Sequence, residues 1–546
     1  MADFVWPISL SLGVAAHLLY FHRYETHNYV HRILAIIITT IAVSTVLVSR
    51  TGNVGLIVAA ATTLGYAVCF AIGAMGSTLV YRLFFNPLNR FPGPFAARLS
   101  DFYIAFTVGG KLNQYHKLYE LHQKYGRIVR RGATELSIVD PDFVEPSHSS
   151  QTRVTKGPWY DMETVPALLS ERVRTQHDRR RKHWVPAFSD KALREYEPRI
   201  QSFNNKLLAK LTELDGKPMD VSHWFKLYAF DVMGSLAFGK NYRMLDSGEK
   251  HHALGLLTDG MAPLGLTMPV WFLRLLKGIP GDTLGVEKFT KFCNDEIEDA
   301  VRNNFFSNAS EKDAASAGGS TVTSWLYNAY KDSPNPGRNP YYQQDARLLI
   351  VAGADTTAVT FAYMFYQLAQ HPEDVEMIRN ELKQCVKGDF SDVDIRHCEH
   401  LNATINETLR LHSPGPSGAF RLTPPEGLRV GDTFVPEGTA YNIPFYVVAR
   451  DESVYEQASS FVPERWYSKP EMVKYKGAFV PFLIGAYNCI GKNVALMELR
   501  TLTAKILLEY DVSLAPGEDG SRLLNDSKDH FTMSLAPLDL VFTRVK

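Results

Sequence analysis

The sequence predicts a mainly α-helical protein with small β-sheets, preceded by N-terminal transmembrane helices. Three long uncharged stretches open the 546-residue chain. After them, most segments place apolar residues at i, i+3 and i+4, the spacing of amphipathic helices, and only a few short pieces alternate as strands do. With 45% hydrophobic residues, the chain can bury a large core.

The uncharged stretches run over residues 4–21, 33–49 and 51–81, and each is near the length that crosses a bilayer. A signal peptide is the alternative for the first, but it lacks a basic start and two more apolar stretches follow. The second is short, so one span or a re-entrant hairpin stays open there. We expect a membrane anchor over residues 1–82 with up to three transmembrane helices.

The basic residues around these stretches predict the orientation of the anchor. Arg23 and Arg32 lie between the first two, Arg50 lies between the second and third, and Arg82 and Arg90 follow the last. The positive-inside rule then predicts a lumenal N-terminus and a cytosolic remainder.

A second region, residues 83–546, is expected to form the catalytic domain. Residues 86–94, NPLNRFPGP, contain three prolines, which predict a stiff extended linker after the anchor. Strand-like pieces occupy residues 127–139, 428–435 and 538–545, and the low-complexity stretch from Ser307 predicts an exposed loop.

Charge and cysteine usage narrow the function classes. Lysine plus arginine equals aspartate plus glutamate at 58 each, so no global charge favours nucleic acid as a partner. Five scattered cysteines without CxxC or zinc-type spacing indicate a reducing compartment and no disulfide framework.

The apolar segment over residues 346–370 contains AGADTT, in which Asp355 and Thr356 would be costly to bury without partners. Gly353 weakens the helix at the same place. One interpretation is a local opening that holds water and relays protons. The other is a polar stripe that faces solvent.

Two further motifs combine acids and bases. Glu407 and Arg410 are three residues apart and share a helix face, with apolar residues around them that indicate burial. Arg465 in PERW offers a second arginine to the same acid. A solvated surface pair is the alternative interpretation.

The stretch PFLIGAYNCIGKN, residues 481–493, sets Cys489 among glycines just before a run that predicts a helix from about Ile490. A helix N-terminus favours an anion, so this position favours a thiolate, the form that binds metals. An inert loop cysteine is the alternative.

Taken in order along the chain, AGADTT, ExxR, PERW and FxxGxxxCxG resemble the cytochrome P450 family from about Arg82 onward. FPGP and HDRRRKHWVPAFS, from His177, agree with it. The multi-span N-terminus and YRLFFNPLNRFPGP are similar to the membrane-bound members of filamentous fungi. The resemblance implies the cytochrome P450 fold.

The resemblance implies a role for each motif. Cys489 would be the proximal thiolate ligand of haem b iron, with Phe482, Gly485 and Gly491 shaping its loop. Asp355 and Thr356 would deliver protons to oxygen. The structural network behind the cysteine loop would consist of Glu407, Arg410 and Arg465.

The sequence departs from the family pattern at two positions. Tyr487 replaces the basic residue that is common two residues before the cysteine, and His177 replaces a frequent tryptophan four residues before Arg181. The haem propionates are therefore expected to be bound by Arg181, His177 and Arg421, with a weaker hydrogen bond from Tyr487.

By this resemblance the chain is a haem-thiolate monooxygenase that inserts one oxygen atom from O₂ into an apolar small molecule. A secondary-metabolite scaffold (terpenoid, polyketide or alkaloid) is favoured over a steroid, fatty acid or xenobiotic. The alternatives are a P450-like isomerase or dehydratase that works without a reductase, and a haem-binding carrier or sensor.

The resemblance implies that the anchor lies in the endoplasmic reticulum membrane and that the catalytic domain is cytosolic. The implied electron donors are NADPH-cytochrome P450 reductase and, as a second donor, cytochrome b5. NADPH would act through the reductase. A basic docking face would consist of Arg179, Arg180, Arg181, Lys182 and Lys492.

Four pieces of chain are candidates for the substrate pocket: residues 157–169, Leu349 with Ala352, residues 417–420 and residues 530–534. The apolar residues 261–281 either dip into the bilayer interface or pack in the core.

Overall fold

The computed structural model describes residues 2–282, 285–302 and 321–545. Its N-terminal helices are α1 (Ala2–Ala16), α2 (Val30–Thr51) and α3 (Leu56–Val80). The spans Phe4–Phe21, His27–Thr51 and Leu56–Phe85 are long and apolar enough to cross a membrane. Because α2 extends beyond the charge-free stretch at both ends, its 22 residues are enough for a full span.

Glycines let α1 and α3 pack closely together. A Cβ at Gly13 would lie 2.1 Å from the Phe70 carbonyl oxygen, and one at Gly73 would lie 2.1 Å from the Leu10 carbonyl oxygen. Such small-residue contacts are how helices associate in a bilayer, where apolar burial alone gives no driving force.

The loop between α1 and α2 contacts the body of the protein. His27 Nε2 lies 2.7 Å from Asp161 Oδ2, and Arg172 donates to both carboxylate oxygens of Glu25 at 2.8 and 2.9 Å. Arg172 also donates to Asp161. This loop and the body therefore lie on the same side of any bilayer that α1 and α2 cross.

The body is mainly helical, as predicted, and its described helices differ widely in length. They are α4 (Phe95–Leu99), α5 (Tyr103–Val108), α6 (Gln114–Tyr125), α7 (Val144–His148), α8 (Arg174–Trp184), α9 (Asp190–Leu214), α10 (Val221–Phe238), α11 (Met244–Ser247), α12 (His252–Met261), α13 (Val270–Lys277), α14 (Val286–Arg302), α15 (Val322–Tyr330), α16 (Pro340–Leu368), α17 (Pro372–Cys385), α18 (Asp392–Ile395), α19 (Glu399–Leu411), α20 (Phe445–Val448), α21 (Lys492–Glu509) and α22 (Ser521–Asp526). The predicted loop from Ser307 falls, up to residue 320, outside the described residues.

The strands are short and form small sheets. They are β1 (Ile128–Arg130), β2 (Glu135–Ile138), β3 (Thr155–Lys156), β4 (Met219–Asp220), β5 (Phe420–Leu422), β6 (Leu428–Val430), β7 (Thr433–Val435), β8 (Ala440–Asn442), β9 (Tyr510–Leu514), β10 (Lys528–His530), β11 (Thr532–Ser534) and β12 (Asp539–Arg544). The largest sheet has the order β1-β2-β8-β5-β3, in which only β2 and β8 are parallel. The three predicted strand pieces are all strands.

The long helix α16 passes through the largest apolar core. Asn339 caps it by accepting from the Tyr341 and Tyr342 amides, and Pro340 occupies its first turn. Its length and composition would also suit a membrane span, but 72% of its apolar window is buried inside the body. It packs along α10, where Phe225 and Phe361 stack with ring centres 5.1 Å apart.

Residues 86–94 are not the extended linker that the prolines predict. The Asn86 side chain caps a 3₁₀ turn over Pro87–Arg90, and Leu88 and Phe91 are buried. A Cβ at Gly93 would lie 2.4 Å from the Arg130 carbonyl oxygen, so this segment packs tightly against β1. The prolines stiffen it, but apolar burial decides its path.

Candidate active site

The cysteine loop holds its shape through glycine and backbone hydrogen bonds. Gly485 has φ +67°, and a Cβ there would lie 2.3 Å from the His148 carbonyl oxygen. The Cys489 amide donates to the Phe482 carbonyl at 2.8 Å, closing the loop. Gly491 precedes α21, which begins at Lys492, two residues later than predicted.

The Cys489 thiol is accessible to solvent, although protein surrounds it closely. Burial by the surrounding protein is the largest cause of its raised pKa. The backbone amides of Gly491 and Lys492 and the Arg181 charge act in the opposite direction, as the helix N-terminus predicts. Burial outweighs them, so the thiol holds its proton more firmly than an ordinary cysteine, and a bound metal ion would favour the thiolate.

Asp355 and Thr356 lie on α16, where the helix runs without interruption. The Thr356 hydroxyl donates to the Ala352 carbonyl at 2.8 Å, and Ala352 is exposed although most of the residues that follow it on α16 are buried. The local opening predicted at Gly353 is not present: a Cβ there would lie 2.5 Å from the Met233 sulfur, so Gly353 permits close packing with α10.

The Asp355 carboxylate has Lys226 as the nearby cation among the described residues. Its Oδ1 lies 3.9 Å from Lys226 Nζ. Burial raises the pKa of Asp355, and the Lys226 charge lowers it in part. This carboxyl group is therefore easier to protonate than an ordinary aspartate, which suits a proton donor.

A group of buried cations surrounds Tyr487. Arg421 is 1% exposed and donates to the Phe420 carbonyl at 3.2 Å, while its Nε and Nη2 have no partner among the described residues. Pairing of β3 with β5 places Lys156 directly opposite Arg421. Like charges in this position repel each other, and an anion bound between them would relieve that repulsion.

The remaining predicted residues border the same group. His177 lies with its ring centre 4.8 Å from that of Tyr487, and burial lowers the pKa of His177 to about 4. Arg181 donates to the Asn488 carbonyl at 2.9 Å. The Tyr487 hydroxyl is buried without a hydrogen-bond partner in the part of the chain that the structure describes.

Lys156 and Arg174 also belong to this group and were not among the predicted residues. Lys156 Nζ lies 4.8 Å from the Tyr487 ring centre, and the Arg174 guanidinium lies 5.6 Å from it. Burial, followed by the Arg421 charge, lowers the pKa of Lys156 well below its usual range. The only sequence signal was a lysine directly before an apolar candidate pocket segment. Lys156 Nζ donates to the Leu168 carbonyl at 2.9 Å and Arg174 pairs with Asp178 at 2.7 Å, whereas Arg421 keeps two nitrogens without a partner among the described residues. This basic group beside a thiol fits a porphyrin, which brings two carboxylates and a metal.

Glu407, Arg410 and Arg465 form one buried network. The Glu407 carboxylate accepts from Arg410 at 2.7 and 2.9 Å and from Arg465 Nε at 2.9 Å. Two donors that the sequence did not indicate, Trp466 Nε1 and the Val462 amide, complete it at 2.9 Å each. The solvated-pair alternative is excluded, because Glu407 is 0% exposed.

Three of the candidate pocket segments meet in an aromatic cluster. The Trp159 ring stacks between Phe420 and Phe531, with ring centres 5.0 and 4.6 Å away. Its Nε1 is buried without a hydrogen-bond partner within the described residues. This cluster provides an apolar wall with one free hydrogen-bond donor.

A buried acid that the sequence analysis missed anchors one of these segments to α16. Asp345 accepts from the Leu168 amide at 2.8 Å and from Arg180 Nη2 at 2.5 Å. Arg180 is therefore buried and does not belong to the expected basic docking face. Arg179, Lys182 and Lys492 are exposed and remain available for it.

The chain is similar in sequence to known proteins of one family. The family model described as Cytochrome P450 matches residues 92–542. The chain is 42% identical to the cytochrome P450 monooxygenase lcsK of Purpureocillium lilacinum, covering 97% of this chain and 96% of that protein. It is 37% identical to the cytochrome P450 monooxygenase notG' of Aspergillus versicolor, with 97% and 96% covered. It is 34% identical to the tryprostatin B 6-hydroxylase of Aspergillus fumigatus, with 98% and 95% covered.

Proposed function

Because this chain belongs to the cytochrome P450 family and is a cytochrome P450 monooxygenase, we propose that Cys489 binds haem iron and that the enzyme oxygenates an apolar secondary-metabolite scaffold. The observation that carries this proposal is the basic group at Tyr487, in which the buried Arg421 keeps two guanidinium nitrogens without a partner among the described residues, two residues from an accessible thiol. When bound, haem with a thiolate ligand supplies the redox chemistry that inserts one atom of O₂ into the substrate.

Different residues of the chain would bind different parts of the cofactor. Cys489 supplies the metal ligand, and its loop, shaped by Phe482, Gly485 and Gly491, fixes the direction of the sulfur. Two propionates would neutralise the repulsion between Lys156 and Arg421. The other donors at this site are His177, Arg181, Arg174 and the Tyr487 hydroxyl.

Asp355 and Thr356 would move protons in the reaction. The raised pKa of Asp355 lets it carry a proton, and Lys226, 3.9 Å away, lies on the route by which that proton is replaced. The Thr356 hydroxyl donates to the Ala352 carbonyl. Rotation of the Thr356 side chain about its Cα–Cβ bond would turn this hydroxyl toward O₂ in the active site.

The substrate class follows from the pocket wall and from the relatives. Trp159, Phe420 and Phe531 present flat apolar surfaces, which suit a hydrophobic scaffold such as a terpenoid, polyketide or alkaloid. The free Trp159 Nε1 favours a substrate that carries a hydrogen-bond acceptor. One relative is named for hydroxylation of tryprostatin B, which is consistent with a hydroxylase role.

The anchor, residues 1–82, would place the catalytic domain, residues 83–546, on the cytosolic face of the endoplasmic reticulum membrane. The docked α1–α2 loop supports this orientation, since Arg23 and Arg32 flank it. Large apolar side chains are exposed just after α3, on α4 and α5, and on α13, and they would lie in the bilayer interface; they include Phe84, Phe85, Phe95, Phe106 and Trp271. Electrons would come from NADPH through a cytochrome P450 reductase that docks on Arg179, Lys182 and Lys492.

The first test is the spectrum of the reduced, carbon-monoxide-bound protein in membranes. The native chain is expected to show the red-shifted Soret band of a thiolate-bound haem, and Cys489→Ala is expected to lose it. Cys69→Ala, which changes a thiol in α3, is the matched control and should keep the band. A native protein that is folded but gives the same spectrum as Cys489→Ala would refute haem–thiolate binding.

The second test adds the reductase and measures NADPH consumption with candidate scaffolds. Substrate-dependent consumption with an oxygenated product supports the monooxygenase. Turnover of a substrate without NADPH would instead identify the isomerase or dehydratase alternative.

A further inference from the structure

Two cysteines that belong to none of the motifs described above lie side by side. Cys385 ends α17 and Cys398 directly precedes α19, and their sulfurs are 3.5 Å apart. Cys398 is buried at 1% exposure, while Cys385 is partly accessible. In the sequence these cysteines are scattered and form no motif, and only the fold brings the two together.

A histidine completes the arrangement. His397 Nε2 lies 3.5 Å from the Cys385 sulfur, and the His397 side chain is exposed. The Cys398 thiol donates its hydrogen bond toward the Cys385 sulfur. Both neighbours stabilise negative charge on Cys385, so Cys385 is the more reactive thiol of the pair. Burial raises the pKa of Cys398 to about 12, which keeps the proton on that sulfur.

The surroundings hold the two helix ends in place. Glu381 of α17 accepts from the backbone amides of Glu399, His400 and Leu401, so it caps the N-terminus of α19. The two sulfurs therefore sit between helix ends that are already joined. A disulfide needs a sulfur–sulfur distance of about 2.05 Å, which the terminal residue of α17 can reach by a small movement.

We propose that Cys385 and Cys398 form a peroxide-reactive dithiol site, in which Cys385 is the attacking thiol and Cys398 the resolving thiol. The Cys385 proton passes to His397 Nε2, and the thiolate sulfur attacks one oxygen of hydrogen peroxide. The S–O bond forms as the O–O bond breaks, and the departing hydroxide takes the proton from His397 to give water.

The second step closes the disulfide. The Cys398 sulfur attacks the Cys385 sulfur, the S–S bond forms as the S–O bond breaks, and the hydroxyl leaves with the Cys398 proton as water. In total, two thiols are oxidised and one peroxide is reduced to two waters. The product cross-links α17 to α19, the helix that carries Glu407 and Arg410.

The test uses the full-length, haem-loaded protein in detergent. It is treated with increasing hydrogen peroxide, quenched, unfolded, labelled with iodoacetamide, digested and analysed by mass spectrometry. The peptides that contain Cys385 and Cys398 should lose their label together and appear as one cross-linked species, about 2 Da lighter than the two free thiols. Dithiothreitol should restore both labels. Cys293, which is buried at 0% exposure, is the internal control that stays reduced.

Variants separate the roles of the three residues. Cys385→Ser should leave Cys398 fully labelled, whereas Cys398→Ser should stop Cys385 at the sulfenic acid. His397→Gln should slow cross-linking about fivefold, because the group that accepts the Cys385 proton is lost. Accumulation of sulfinic acid on Cys385 while Cys398 stays labelled, or no change in either thiol, would overturn the proposed site. An unchanged rate in His397→Gln would overturn the role of His397.

Discussion

Replacement of Glu407 by glutamine tests whether charge compensation holds the buried network together. The Glu407 carboxylate receives five hydrogen bonds from Arg410, Arg465, Trp466 and the Val462 amide. It is the acid shared by both guanidinium groups, which are 3% and 1% exposed. Backbone carbonyls also accept from the two arginines, but a carbonyl does not neutralise a cation.

The magnitude follows from these contacts. Glu407→Gln keeps one oxygen acceptor and turns an NH₂ group toward donors, so at least two charge-assisted hydrogen bonds are lost at about 1.5–3 kcal/mol each. Breaking a buried ion pair by removal of one partner costs about 3–5 kcal/mol. We therefore expect the free energy of unfolding to fall by about 4 kcal/mol, a large share of the roughly 5–15 kcal/mol of a typical protein.

The assay is denaturant unfolding of the detergent-solubilised protein, together with the haem-loaded fraction after expression. Glu213→Gln is the matched control, because Glu213 pairs with Lys210 at 2.8 Å on the surface and is 65% exposed. That control should change stability by less than about 0.5 kcal/mol. If Glu407→Gln unfolds within about 1 kcal/mol of the native chain, the network does not depend on charge compensation.

Three further predictions concern the cofactor site, the reaction and the pH dependence of stability. Arg421→Met should weaken haem retention by about tenfold or more, measured by haem transfer to an acceptor protein, because one unpaired cation is lost; Arg421→Lys is the control, and equal retention in Arg421→Met would contradict the assignment. Thr356→Val should lower product formation by about tenfold or more while NADPH consumption continues, and a normal ratio of product to NADPH would exclude a role for this hydroxyl. Burial raises the pKa of Glu498 to about 8, so the folded state binds more protons than the unfolded state between about pH 4.5 and 8. The contribution of Glu498 to the free energy of unfolding should therefore fall by on the order of 4 kcal/mol as pH rises through this range; it is measured as the difference between the native chain and Glu498→Gln, and a difference that does not change with pH would refute it.

The sequence by itself determined the fold class and the chemistry of the motifs. The uncharged stretches, the helical spacing and the order of AGADTT, ExxR, PERW and the cysteine loop are local patterns, and each reflects a requirement of nearby residues. Glu407 and Arg410 are an example. They are three positions apart on one helix, and this spacing alone places their side chains in contact.

The tertiary structure alone decided which distant residues meet. Lys156 faces Arg421 because β3 pairs with β5, and Cys385 meets Cys398 because the C-terminus of α17 lies beside the N-terminus of α19. The register of a strand pair and the packing of helix ends depend on contacts between remote segments, which no local spacing records.

The same reason explains two of the wrong expectations. The prolines of residues 86–94 indicate a stiff segment but not where it lies, and burial of Leu88 and Phe91 fixes it on β1. Gly353 indicates a weak point in α16, but the Met233 side chain fills the space beside it, so the glycine serves close packing between helices. Local chemistry sets what each segment can do, and the contacts made across the fold set what it does.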